Sequence, residues 1–395
     1  MERRKKTGVL SRGLIITLLF LILFQPRNIA QDLYEGYYLY LGEYPVNGRA
    51  GWHAEAQGLT HDNSHWFITQ RDALWKVPVN QDLDAFLLIA APGVQRVSLR
   101  NIPQLATAGY DHFGDPSYYA FDGQGYILIP IEGGPPGLAV FRADTLQYVD
   151  HATFAVQTHA PWVAVDPRGN VYSSNDDDVV AVNKYLINWN ALRNGQNLIL
   201  SIAPPVPLFD EAGSQIRLQH VQGGVISPGG QLLYIVADGI HVFDLSTGKR
   251  LQRSTSGSGY FNYEFHPGFP KYEEPEGITI WDLDDGRAPN IRGQLHVIML
   301  DNELSDSDDS IYLKHYTHTI YVHRDGRPFF DSQGLRAYMD VRGTPWRPFN
   351  TVGEANNLAW DGARIKIKAG SYPEMLTISK RVKVIAEGGT TTIGQ

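Results

Sequence analysis

Histidines and carboxylates recur just ahead of short apolar runs in this chain: His53, Glu55 and Gln57; His112 and Asp115; His159; His220 and Gln222; Glu274 and Glu276. Imidazoles titrate near neutrality and carboxyl groups pass protons, so His53, His159, His220 and Glu276 are the candidate catalytic groups. Carboxylates suit a hard cation such as calcium, and imidazoles beside carboxylates suit zinc-like metals. Glu55, Asp115, Glu274 and Glu276 are therefore the candidate ligands of a divalent metal, which would polarise an ester or phosphoryl oxygen and acidify a bound water. Gln57, His112, Gln222 and Trp162 are candidates for holding a ligand, the first three by hydrogen bonds and Trp162 by stacking. The same residue types also hydrogen-bond neighbouring strands or channel water with no chemistry at all, and Trp52, Trp162 and Trp281 read equally as core. Convergence in space separates these readings.

Several chemistries are excluded at once. The chain has no cysteine, which removes thiolate nucleophiles, Cys-ligated zinc and disulfides. No Gly-x-Ser-x-Gly elbow, His-Glu-x-x-His helix or phosphate-cradling Gly-Lys-Ser/Thr loop occurs. A net charge of -8, with no dense basic cluster beyond the first residues, argues against nucleic acid as a partner. The acidic runs Asp176 to Asp178 and Asp301 to Asp309 lack the spacing of a dedicated calcium loop and read as solvated turns.

The elements that must position these residues are clearest in His220 to Arg250. Three apolar runs, Gly224 to Ile226, Leu232 to Val236 and Ile240 to Phe243, are separated by Ser227-Pro228-Gly229-Gly230 and Ala237-Asp238-Gly239. Turn residues between strand-length runs predict an antiparallel meander, which cannot bury both faces alone and so needs copies of itself. Copies follow Gly58, Gly114, Pro161 and Gly277, and with Gly223 these positions stand 56, 47, 62 and 54 residues apart. Such intervals predict a β-propeller of five blades, with six the alternative count and a two-sheet sandwich the alternative fold. The aromatic strand Tyr37 to Tyr44 or the run Ile311 to Tyr316 would close the ring, and the span Val182 to Leu200, too long for one strand, is expected to include a short helix. The polar residues named above then sit where inner strands begin, around the central channel.

The motifs Gln57-Gly58-Leu59, Pro161 to Asp166, Gly224 to Gly230 and Glu276-Gly277-Ile278 resemble the secreted bacterial propellers of the gluconolactonase-like and phytase-esterase-like group. The resemblance covers about Tyr37 to Tyr316 and speaks for architecture more than for one activity. From Thr319 the character changes. Arg347-Pro348-Phe349-Asn350-Thr351-Val352-Gly353-Glu354-Ala355, then Ile365-Lys366-Ile367 and Ala369-Gly370-Ser371-Tyr372-Pro373-Glu374, resemble the capping helix, first strand and corner of a pectin-lyase-type right-handed β-helix. Stacked coils bury their core only in series, so this segment is expected to be a truncated β-helix or a cap on the propeller. The resemblance carries no catalytic residue into this chain, because that family's acidic residues lie on later coils.

At the other end, Arg3, Arg4, Lys5 and Lys6 precede the apolar run Gly13 to Phe24, then Pro26 and Ala30, the layout of a secretory signal peptide. An uncleaved anchor is the alternative, since Asn28 stands where a small residue usually precedes the cut. The expected organisation is a signal peptide at 1–30, an all-β propeller at 34–318 and a short β-helix-like segment at 319–395. The protein is expected outside the cytoplasm, secreted, periplasmic or at the cell surface, with no stable membrane span after cleavage. Two functions from different classes fit: a module binding an extracellular carbohydrate or other small ligand, and a metal-dependent lactonase, esterase or phosphoesterase using a channel ring of His and carboxylate. A purely structural envelope role is the third. No cofactor is demanded by any motif; calcium or another divalent metal is the one the second reading would take.

Overall fold

The computed structural model describes residues 38–46, 50–254, 273–301, 310–329, 336–337 and 341–394. The expected signal peptide, Tyr37 and residues 302–309 of the second acidic run lie outside them.

Blade four shows why the sequence folds as it does. Its strands Gly223–Ile226, Leu232–Val236, Ile240–Asp244 and Arg250–Arg253 pair in order as an antiparallel sheet. Side chains alternate across a strand, so Leu233 and Ile235 pack with Trp162, Tyr172 and Val182 of blade three. Leu232, Tyr234 and Val236 pack on the opposite side with Ile278, Leu295 and Val297 of blade five. A run apolar at every position is what a strand buried on both faces requires. Each such side chain contributes roughly 1.5–3 kcal/mol on burial, so the two interfaces supply what the lone meander lacks.

The same rule builds the other blades. Blade one holds Ala56–His61, His65–Gln70, Ala73–Pro78 and Gln95–Ser98. In blade two the inner strand is split into His112–Phe113 and Ser117–Phe121, both paired with Gln124–Glu132, followed outward by Gly137–Arg142 and Tyr148–Thr153. Blade three holds Ala164–Val165, Asn170–Ser173, Ala181–Ile187 and Leu200–Pro207, with the expected short helix at Trp189–Arg193. Blade five is built from Glu273–Ile280, Leu295–Asp301 and Ser310–Thr317, and Leu39–Val46 from the start of the described chain lies beside Ser310–Thr317. Both strands considered for closure are thus used, side by side, and the ring has five blades.

After the propeller, Thr319–Val322, Arg364–Tyr372 and Lys383–Ile393 form a small parallel sheet. The helix Val352–Leu358 starts on a capping box between Thr351 and Glu354. Glu374 adds to it by accepting from Val352 N and Gly353 N, both at 2.8 Å. This segment docks on blade five: Arg364 Nη1 lies 2.7 Å from Asp282 Oδ2, and Trp346 Nε1 donates to Leu41 O at 3.0 Å. What is present is one parallel three-stranded sheet with its helix.

Candidate functional site

The propeller axis is closed part-way along by one residue. Asp115 lies in the break of blade two's inner strand and is fully buried. Its Oδ1 accepts from Leu59 N of blade one at 3.1 Å, and its Oδ2 accepts from Gly224 N of blade four at 3.1 Å and Ile278 N of blade five at 3.3 Å. Its own N–H donates to Pro161 O at 2.8 Å and its carbonyl accepts from Val163 N at 3.1 Å, at the start of blade three. One residue therefore ties its blade to the other four. Inner strands can come this close only without side chains: a Cβ on Gly58 would stand 2.4 Å from Asp115 Cα, and one on Gly277 2.5 Å from Gly58 Cα. Burial pushes the Asp115 carboxyl well above its ordinary range, and the three N–H donors pull it back.

On one side of this floor a cavity of about 390 Å³ opens. All five blades line it: Glu55, Gln57 and Arg71 from blade one; His112 and Glu132 from blade two; Ala160, Pro161 and Asp176 from blade three; Gln222 from blade four; Glu274, Glu276 and Leu300 from blade five. Glu55, Gln57, Gln222 and Glu274 are there because they directly precede or open inner strands. Arg71, Glu132 and Asp176 are there because an antiparallel second strand ends where the first begins, as the pairing of His112 with Glu132 shows. Sequence reading passed over Arg71 and Glu132 by attending to inner strands alone; a polar residue at the end of each second strand was the available signal.

The lining is acidic and ordered. Arg71 and His112 face five carboxylates, Glu55, Glu132, Asp176, Glu274 and Glu276. Gln57 Oε1 accepts from His112 Nε2 at 2.7 Å, Arg71 lies 3.9 Å from Glu55, and Glu132 accepts from Ala160 N. Burial lowers the His112 imidazole below its ordinary value and so favours its neutral form. Glu276 is buried, and desolvation raises its carboxyl well above the ordinary range, with the charge of Glu274 and a hydrogen bond to it adding in the same direction. Glu276 is thus biased toward its protonated form, which can donate to the exposed Glu274. A carboxyl biased toward its protonated form, a second carboxyl beside it and an imidazole biased toward its neutral form in one cavity can accept hydrogen bonds, hold a cation or move a proton.

Five of the residues singled out in the sequence lie elsewhere. Asp115 is the floor and faces backbone amides, a placement that leaves its lone pairs to Leu59, Gly224 and Ile278. Trp162 is fully buried, its ring against Gly224 and its Nε1 donating to Ser174 Oγ at 2.9 Å, so it is core between blades three and four. His53 lies in the loop before blade one, its Nδ1 accepting from Gly51 N. His159 stands one residue behind the cavity, 3.1 Å from Asp176. His220 adopts a φ of 53°, and its ring is 82% exposed, 3.7 Å from Asp177. The run Asp176 to Asp178 pins the loop before blade four: Asp176 O accepts from Val221 N, Asp177 Oδ1 from His220 N, and Asp178 pairs with Arg217 at 2.8 Å. Among the described residues, no three His, Asp or Glu side chains are grouped as a metal site requires, and no helix is long and apolar enough to cross a membrane.

No known family and no curated protein matches the chain. Among solved structures it is similar to the complex of KlAtg21 with the coiled-coil of AgAtg16, at 9% identity and a TM-score of 0.31, over 64% of this chain and 68% of that one. It is also similar to KlHsv2 with loop 6CD replaced by a Gly-Ser linker, at 11% identity and a TM-score of 0.29, over 67% and 72%. Likeness at this level says nothing of activity.

Proposed function

We propose that this protein is an extracellular binding propeller whose axial cavity takes a small hydroxyl-rich ligand carrying a positive charge, such as an amino sugar. The observation that supports this reading is the convergence of Glu55, Glu132, Asp176, Glu274 and Glu276 from four blades on one cavity, with Gln57 and Gln222 as amide partners. Carboxylates accept from hydroxyls and attract an ammonium, while among the described residues no Trp, Tyr or Phe ring lines the space to stack on a neutral sugar face. Calorimetric titration with glucosamine, glucose and glucuronate tests it. Glucosamine should bind tightest, and Glu274→Gln should weaken it by about tenfold, the equivalent of ~1.4 kcal/mol. Equal binding of all three sugars, or an unchanged Glu274→Gln variant, would defeat the reading.

A hydrolase of the lactonase, esterase or phosphoesterase kind is the second reading, favoured by the bias of Glu276 toward its protonated form beside Glu274 and of His112 toward its neutral form in the same space. Calcium is the metal that the oxygen-rich lining would suit. Metal analysis together with a screen of lactones, aryl esters and phosphoesters checks it: turnover lost in Glu276→Gln supports it over pure binding. Membership of the gluconolactonase-like or phytase-esterase-like group and export by the basic-then-apolar start of the chain belong to the same proposal. So does the opening of a right-handed β-helix in the parallel sheet. The ladders Ile320–Ile365–Val384 and Val322–Ile367–Ala386, stacked in register, support that last point.

A further inference from the structure

A second cavity, of about 450 Å³, adjoins the axial one on the side of blades one and two. Glu55 and Arg71 line both, so this pair is the ridge between them. Two neighbouring segments serve both spaces. In the turn that ends blade one's second strand, Arg71 reaches both cavities and Asp72 the second alone; ahead of blade two's inner strand, His112 lines the axial cavity and Asp111 the second. Backbone bonds hold these segments in place: Phe113 N donates to Arg71 O and Leu99 N to Asp72 O, each at 2.8 Å, and Asp111 N donates to Glu132 O at 3.1 Å. The two cavities therefore share one frame.

The lining says what the second space would take. Leu99 and Tyr110, both buried, give it an apolar base, while Asp72, Arg100 and Asp111 supply charged groups above. Arg100 lies 3.5 Å from Asp72, as Arg71 lies 3.9 Å from Glu55, so each guanidinium is matched by a carboxylate and Asp111 is the surplus charge. An apolar base under groups that accept from or donate to hydroxyls suits a sugar ring, whose C–H face is apolar and whose edge carries hydroxyls. The surplus carboxylate favours a positive charge, as the axial lining does. The ridge between the two is low, because Glu55 and Arg71 are each half exposed and such pairs contribute little in water. We infer that the two cavities are successive subsites for one oligosaccharide of amino sugars, the axial cavity holding one unit and Asp72, Arg100 and Asp111 the next. This rests on the axial cavity being an amino-sugar site and extends its ligand from a single sugar to a chain.

Calorimetric titration of the full chain with glucosamine and with the linked disaccharide of glucosamine tests this. Linking makes the second contact intramolecular, so the disaccharide should bind about tenfold tighter than glucosamine or better. Asp111→Ala and Arg100→Ala change exposed residues that line the second cavity and not the axial one. Each should remove most of the disaccharide's gain while glucosamine binding and the melting curve stay as in the natural protein. Glu274→Gln, in the axial cavity, should instead weaken both sugars alike. Glucosamine bound with the disaccharide no tighter, or a gain indifferent to Asp111→Ala and Arg100→Ala, would overturn the inference and leave the axial site standing. Neither sugar bound would defeat the axial reading and this inference with it.

Discussion

Asp115 and Glu276 are both buried carboxyl groups near one axis, and burial raises both. Their neighbours differ. Asp115 receives three backbone N–H groups, each from a different blade, and every lone pair that matters is committed. Glu276 meets Glu274 instead, a like charge that adds to the upward shift of its carboxyl. Donors around a buried carboxylate make a structural joint; a second carboxylate makes a proton-holding pair open to a cavity. The floor of the channel is therefore a joint between blades and its mouth an acidic cavity, though the two residues are drawn from the same acidic alphabet.

The contrast breaks first at Asp115. Asp115→Ala leaves three buried amides without acceptors, at about 1–3 kcal/mol each, enough to endanger a fold whose total stability is roughly 5–15 kcal/mol. Thermal and denaturant melts should show partial or complete unfolding. Asp115→Asn sharpens the comparison. In its better orientation the side-chain amide oxygen keeps Gly224 N and Ile278 N and loses only Leu59 N, so the cost should fall to about 1–3 kcal/mol. If the two variants melt alike, the amides are not what the carboxylate serves. Gly277→Ala comes next in size. The new Cβ meets backbone and the Asp115 carboxylate rather than a flexible side-chain end, and the expected loss is on the order of 3 kcal/mol.

How far the sequence led also differs between floor and mouth. Gly58, Gly114, Pro161, Gly223 and Gly277 were legible as one repeated position because turn residues and apolar runs flank each of them, and all five lie around the axis. Glu55, Gln57, His112, Gln222, Glu274 and Glu276 were legible by their place ahead of inner strands, and they line one cavity. Asp115 was not, because the strand breaks around it, and a period of two cannot assign a face across a break. His220 was not, because a left-handed backbone turn carries its ring outward, and nothing local distinguishes it from Gln222 two residues on. In the carboxy-terminal segment the alternation of Ile365 and Ile367 announced a strand buried on one face; the parallel pairing came only from the resemblance to a right-handed β-helix, because it depends on contacts far apart in the chain.

At the mouth the comparison is read through pH. A carboxyl whose pKa is higher in the folded chain than in the unfolded one binds more protons when folded, so its contribution is full below the ordinary carboxylate range and is lost as pH rises above it. Natural protein should therefore lose stability between mildly acid and neutral pH through Glu276. Glu276→Gln, which cannot ionise, should flatten that slope and melt higher at neutral pH, by on the order of 1 kcal/mol. Melting curves against pH decide it, and a Gln variant with an unchanged slope would mean that Glu276 ionises as an ordinary surface acid does.

The smallest effect belongs to the histidines that the geometry leaves outside. Among the described residues, His220 is exposed and pairs with Asp177, while His159 is half exposed and reaches the cavity through Asp176. Exposed ion pairs contribute about 0–1 kcal/mol, so His220→Ala should shift stability by no more than ~0.5 kcal/mol and leave glucosamine binding unchanged. His159→Ala frees the Asp176 carboxylate, which lines the cavity, and should alter binding slightly without altering the melt. The pair of variants thus separates nearness to the cavity from exposure. If His220→Ala abolished ligand binding, the functional surface would lie over the loop of Asp177 and Arg217 rather than on the axis, and the division between floor and mouth would no longer describe where this protein acts.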